Sequence, residues 1–98
     1  MSHRIDVSQE AERDLIGIYL FGLERFGVAQ AERYAGILRQ KIELVAEHPD
    51  FGADVGFVRA GARRYVAVSH VIYYRPIPGG IRVLRILHGH MDPGRHLS

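Results

Sequence analysis

The chain has 98 residues, 47% of them hydrophobic and 24% charged, which suits one globular domain over residues 1–98 with a modest core. It holds no cysteine, no apolar run near the ~20 residues of a membrane span and no export signal in Met1 to Asp6, so no disulfide or thiolate–metal framework is expected and the compartment stays open, a cytoplasmic protein being one that fits. A net charge of +2 conceals a polarity: residues 1–50 carry six cations against nine carboxylates, and residues 51–98 carry seven against two.

Arg4 to Val7 alternates polar and apolar residues and predicts a short strand. Ser8 is placed to N-cap a helix, with Glu10 and Glu12 in its first turn. Ala11, Leu15, Ile18, Tyr19, Gly22 and Phe26 recur at helical spacing as its buried stripe, and Gly27 supplies the left-handed stop. Leu20, Phe21 and Leu23 leave this helix apolar on a second side, an outer face for a partner. A second helix starts near Val28 or Ala29, turns Ala31, Tyr34, Leu38, Ile42 and Val45 inward, and runs to about His48 before Pro49. A one-glycine joint makes the pair an antiparallel hairpin whose stripes need a sheet to cover them.

Residues 50–62 read as irregular, pinned by Phe51, Phe57 and Val58. Arg64 to Val68, His70 to Arg75 and Ile81 to His88 then form an antiparallel meander, its last turn at Pro78, Gly79 and Gly80. Ile5 and Val7 add an edge strand. The fold class is α+β, in the order β-α-α-β-β-β: a helical hairpin packed on a small, mainly antiparallel sheet.

Twelve of the thirteen cations are arginine, whose planar fork binds carboxylates and phosphates. Arg59, Arg63 and Arg64 stand at the entry to the meander, with Arg75, Arg82 and Arg85 on its strands. They read either as a patch for an acidic partner or nucleic acid, or as solvated charges guarding a sheet edge. Arg85 lies among apolar neighbours and requires a partner, internal or from another chain. Tyr65, Tyr73 and Tyr74 interleave with the arginines, for which cross-strand packing is the simpler account than base stacking. Tyr19, Phe26 and Tyr34 are assigned to the core. His88, His90 and Asp92 would share a face if the strand continued, but Gly89 and Pro93 end it, so no metal or other cofactor is expected.

The Tyr73-Tyr74-Arg75 strand, its turn, the Val83-to-His88 strand and the trailing Met91-Asp92 resemble the ParE toxins of the RelE/ParE superfamily, and the element order extends that resemblance over nearly the whole chain. The resemblance implies a plasmid-stabilising bacterial toxin that blocks DNA gyrase by binding it, without catalytic turnover. It also implies a ParD-like ribbon-helix-helix antitoxin as partner, with DNA met only indirectly through that antitoxin, and no membrane. On this basis Arg63, Arg64, Arg85, His88, His90, Asp92 and Arg95 are the expected toxic surface. Leu20, Phe21, Leu23, Arg59, Arg75 and Arg82 are the expected antitoxin contacts. Two alternatives stand beside it: a RelE-like ribosome-dependent mRNA endonuclease, and a non-toxic binding module in an autoregulatory repressor complex. The nuclease would use the histidines as acid and base, but the chain lacks the basic loop and terminal Arg/His–Tyr pair of that group.

Overall fold

The computed structural model describes residues 3–97. Strand β1 (Arg4–Val7) leads into helices α1 (Gln9–Phe26) and α2 (Val28–Glu47). Strands β2 (Ala53–Asp54), β3 (Arg63–Ala67), β4 (His70–Ile77) and β5 (Gly80–His88) follow, and a short helix α3 (Pro93–Leu97) ends the described chain. The expected order is present with two additions. The irregular stretch contributes the two-residue strand β2, and the polar tail coils into α3 instead of extending β5. Strand β3 begins and ends one residue earlier than predicted, because Val68 turns the chain at φ +59°. The second hairpin is tighter than predicted, with β4 reaching Ile77 and β5 starting at Gly80.

The five strands lie in the order β1-β5-β4-β3-β2, with β1 parallel to β5 and the other neighbours antiparallel. The register of the parallel pair sets Arg4 opposite Gly80. A side chain at position 80 would run into the Arg4 carbonyl, so glycine lets β1 close the sheet on that side. At the helical joint, Gly27 sits at φ +87° and its carbonyl accepts the Ala31 N–H, so one residue ends α1 and starts α2.

Where β1 stops, α1 takes over the edge of β5. The Ser8 N–H donates to the Val83 carbonyl at 3.0 Å. The Ser8 hydroxyl donates to the Leu84 carbonyl at 2.7 Å and accepts from the Ala11 N–H at 3.0 Å, so one buried side chain caps the helix and anchors it to the sheet. Two turns later, the Asp14 carboxylate accepts the Ile86 N–H at 2.9 Å. The backbone groups of a buried strand are thereby paired without another strand.

Both faces of the sheet are covered over part of their area, so β4 and β5 are apolar on both sides. The near face packs Ile72, Tyr74, Ile81, Val83 and Ile86 against Leu38, Ile42 and Val45 of α2 and Ala11 of α1. The far face packs Val71, Tyr73, Leu84 and Leu87 against Val55, Ala62 and Leu97. Tyr73 and Tyr74 point to opposite faces and are both buried, in keeping with the packing expected of them. The Tyr74 hydroxyl donates to the Pro49 carbonyl and accepts from the Gly52 N–H, both at 2.8 Å, which fixes the path out of α2. Val55, Ala62 and the half-buried Val58 hold the 50–62 segment. Phe51 and Phe57, expected to pin it, are exposed; Phe51 stacks on His48 instead. Phe26 also departs from expectation: it is exposed at the end of α1, because the buried stripe of that helix fades before the hairpin tip.

Candidate functional site

Helix α1 buries only Ala11 completely, while Leu15 and Ile18 are half-covered and Ile16, Leu20, Phe21 and Phe26 are exposed. The near face of the hairpin is therefore not closed. It opens as a groove of about 890 Å³, walled by Leu15, Ile18, Tyr19 and Phe21 of α1 and by Ala31, Tyr34, Leu38 and Ile42 of α2. Ile5 and Val7 of β1 line it too, as do Val68, Ser69, His70 and His88. A smaller hollow of about 360 Å³ on the other side of α1 shares Ile18, Phe21, His70 and His88 with it, so the two concavities meet over these four side chains. Open apolar grooves on small chains mark sites of contact with another protein, a ligand or a membrane.

The polar feature of the groove is a row of histidines. His70 and His88 are register partners on β4 and β5, with ring centroids 5.3 Å apart, and the His90 ring lies 4.3 Å from His88. The Tyr34 hydroxyl sits 2.6 Å from Nδ1 of His70 and accepts the Ser69 N–H at 3.2 Å. Burial, reinforced by the neighbouring His88, lowers the His70 pKa below its ordinary value, while Asp14 opposes the shift. The neutral imidazole is thereby favoured at His70. Among the described residues no three His, Asp or Glu side chains converge as metal ligands.

Arg85 meets its partner inside the chain. Its guanidinium donates to both Asp14 carboxylate oxygens, at 2.8 and 2.9 Å, and to the His96 carbonyl at 3.1 Å. The bidentate contact raises its pKa further and holds it charged. Arg85 therefore ties α1 to α3 around the edge of β5. Arg63 is also engaged, donating to the carbonyls of Gly52 at 2.9 Å and Asp50 at 3.3 Å. Arg59 reaches the Leu97 carbonyl at 3.5 Å. In the tail, Arg95 lies 4.0 Å from Asp92 and both are exposed, as is His90.

Apart from Arg59, Arg63 and Arg85, the residues singled out from sequence fall into three groups. Leu20 and Phe21 line the groove and His88 forms part of its floor; Leu23 is half-buried and does not line it. His90, Asp92 and Arg95 lie together beyond the end of β5. Arg64, Arg75 and Arg82 share the far face of the sheet, where each alternates with residues of the far-face cluster. Sequence reasoning missed Asp14, Tyr34 as a partner of histidine, and His70. Asp14 had a visible signal: Ala11, Asp14, Leu15 and Ile18 follow the i, i+3, i+4, i+7 spacing, so an acid stands within the buried stripe. The Tyr34–His70 contact had none, as it joins residues 36 apart.

A sequence profile described as the ParE toxin of the type II toxin-antitoxin system parDE matches residues 5–93. The chain is 40% identical over 92 residues to Toxin ParE1 of Caulobacter vibrioides, covering 94% of this chain and 95% of that one. It is 38% identical over 98 residues to Toxin ParE1 of Mycobacterium tuberculosis, covering 99% of this chain and all of that one. A solved structure titled as the chromosomal ParDE TA system from P. aeruginosa superposes with a TM-score of 0.75 at 18% identity, over 88% of this chain and 95% of its counterpart, which establishes the shared fold.

Proposed function

The chain belongs to the ParE toxin family of type II toxin–antitoxin systems, and we propose that it arrests growth by binding DNA gyrase, and that a ParD-like antitoxin neutralises it by laying an amphipathic segment into the hairpin groove. The observation that carries this reading is the open apolar groove between α1 and α2, rimmed by exposed Leu20 and Phe21. A helix presenting anchors at i, i+3, i+4 and i+7 fits such a groove, and a segment that orders on binding suits an antitoxin. No helix among the described residues is long and apolar enough to cross a membrane, and we place the toxin's action in the cytoplasm.

The target surface in this reading is the exposed cluster beyond β5, His90, Asp92 and Arg95, with His88 beside it. Arg85 acts there as a positioning residue, its donors committed to Asp14 and to the His96 carbonyl. Arg63, by contrast, secures the 50–52 carbonyls at the other end of β3 and lies apart from this cluster. In this reading the toxin acts by occupation rather than turnover, and the pairing of Arg85 with Asp14 supports it by leaving that guanidinium committed inside the chain.

The test is controlled induction of the chain in a sensitive host, with DNA, RNA and protein synthesis followed separately. Early loss of DNA synthesis, with accumulation of cleaved DNA on purified gyrase, is the expected result. Early loss of protein synthesis with cut messages would replace it with the ribonuclease reading. Unimpaired growth would leave a binding module. In the same assay Phe21→Glu is expected to keep toxicity while weakening antitoxin binding by at least about thirtyfold, the effect of losing one anchor of ~2 kcal/mol.

A further inference from the structure

On the far face of the sheet Val55, Ala62 and Leu97 close over Tyr73, Leu84 and Leu87, and at the end toward the β4–β5 turn Arg75 is exposed. Three arginines lie on this face, one on each of three adjacent strands: Arg64 on β3, half-buried beside Tyr73, Arg75 on β4, exposed, and Arg82 on β5, half-buried. Arg75 and Arg82 are direct register partners. Like charges set opposite one another across two strands repel. Among the described residues none of the three has a hydrogen-bond or ion-pair partner. The nearest acid on this face, Asp6 beside Arg82, is held by Arg4 at 3.0 Å.

Cations are often placed on exposed strands to block pairing with other chains, but that role belongs to sheet edges. Here β5 and β4 are interior strands, flanked by β1 and β3, so Arg75 and Arg82 guard no edge. Charge is also segregated across the molecule, since the helical hairpin on the opposite side carries seven carboxylates against five cations. The resulting field turns the arginine face toward a polyanion. With strands ~4.8 Å apart and alternate residues ~6.7 Å apart, the three forks fall within roughly 15 Å, the scale of a few consecutive phosphates.

We propose that this face is a sequence-independent contact surface for the phosphate backbone of duplex DNA. It departs from the expectation that DNA is met only through an antitoxin. Nucleic acid is favoured over an acidic peptide because neither groove reaches this end of the sheet. A peptide would find no apolar anchor between the arginines, whereas phosphates need only charge and bidentate donors. The surface lies opposite the hairpin groove, so it stays open when the groove is filled.

The experiment uses the purified chain and a fluorescein-labelled duplex of arbitrary sequence, followed by anisotropy at several salt concentrations. The expected result is binding at low salt that is indifferent to sequence. Its log–log salt slope should fall by about 0.9 for each phosphate contact removed, hence by roughly 2 to 3 in the Arg64→Ala/Arg75→Ala/Arg82→Ala variant. The corresponding triple lysine variant should retain salt-dependent binding. Removing Arg33, Arg39 and Lys41 from α2 should leave the slope unchanged. Thermal melting reports on folding; relief of the Arg75–Arg82 repulsion predicts no loss of stability in the alanine variant. No salt-dependent binding by the parent, an unchanged slope in the alanine variant, or binding of polyglutamate without binding of the duplex would each overturn the proposal. Neither gyrase nor antitoxin is present, so the outcome is separate from that of the induction experiment.

Discussion

Asp14 shows how much one residue can hold in place. Its carboxylate takes two hydrogen bonds from Arg85 and one from the Ile86 N–H, and both side chains of the pair are largely shielded, at 14% and 21% exposed. Replacing it with alanine strands a cation and a strand N–H together, for which a loss of about 3 kcal/mol is expected. The melting temperature should fall by more than about 10 °C, measurable by calorimetry. Replacing both partners with apolar residues should cost less, because no lone charge remains. His70 gives the pH dependence its sign. Its pKa is lowered in the fold by burial and by His88, against the opposing charge of Asp14, so the unfolded chain takes up the proton first. The stability that His70 contributes is complete above pH ~6.5 and declines as the pH falls below that value. His70→Asn, which keeps an acceptor for Tyr34, should flatten the melting temperature between pH 7.5 and 5; an unchanged slope would assign the effect to another group. Neither role is legible at its own position in the chain. The Asp14 signal is weak until Arg85 is known to need a partner, and the Tyr34–His70 pairing exists only once α2 lies across β4.

Among the elements, those with strong periodicity were readable, because a helix or a strand buries one side and repeats it. Helices α1 and α2, the glycine between them and the β3–β4–β5 meander follow from that rule. Strand β2 and helix α3 do not: β2 is two exposed residues defined by pairing with β3, and α3 is a polar turn held by Leu97 and by the carbonyl contacts of Arg85 and Arg59. Phe26, Phe51 and Phe57 misled for a related reason, since sequence reports that a side chain is apolar but not which surface its own chain leaves bare. The junction of β1 with β5 is the element most sensitive to a single atom. Gly80→Ala places a methyl against the Arg4 carbonyl and should detach β1. The expected signature is fast hydrogen exchange at Arg4 to Val7 with the β3–β4 hairpin still protected; unchanged protection of β1 would refute it.

At the scale of the whole molecule, the two sides of the sheet serve different chemistries. The near side carries the helices, their surplus of acids and an apolar groove. The far side carries a small second core and Arg64, Arg75 and Arg82, unpaired among the described residues. The charge imbalance between the halves of the chain was plain from the sequence, but its sidedness was not, because it depends on the alternation of three strands and on a register shift near Tyr73 and Tyr74. The place of β5 has a further consequence. It is the fifth of the five described strands in chain order, yet β1, α1, α2, β4 and the helical tail all rest against it. A nascent chain has its α1–α2 hairpin on the outside of the ribosome, apolar stripe uncovered, well before the strand that completes both cores can follow. During that interval the groove lacks the floor that Val68, His70 and His88 give it, and the cluster beyond β5 does not exist. Both surfaces are therefore completed together, by the fifth strand.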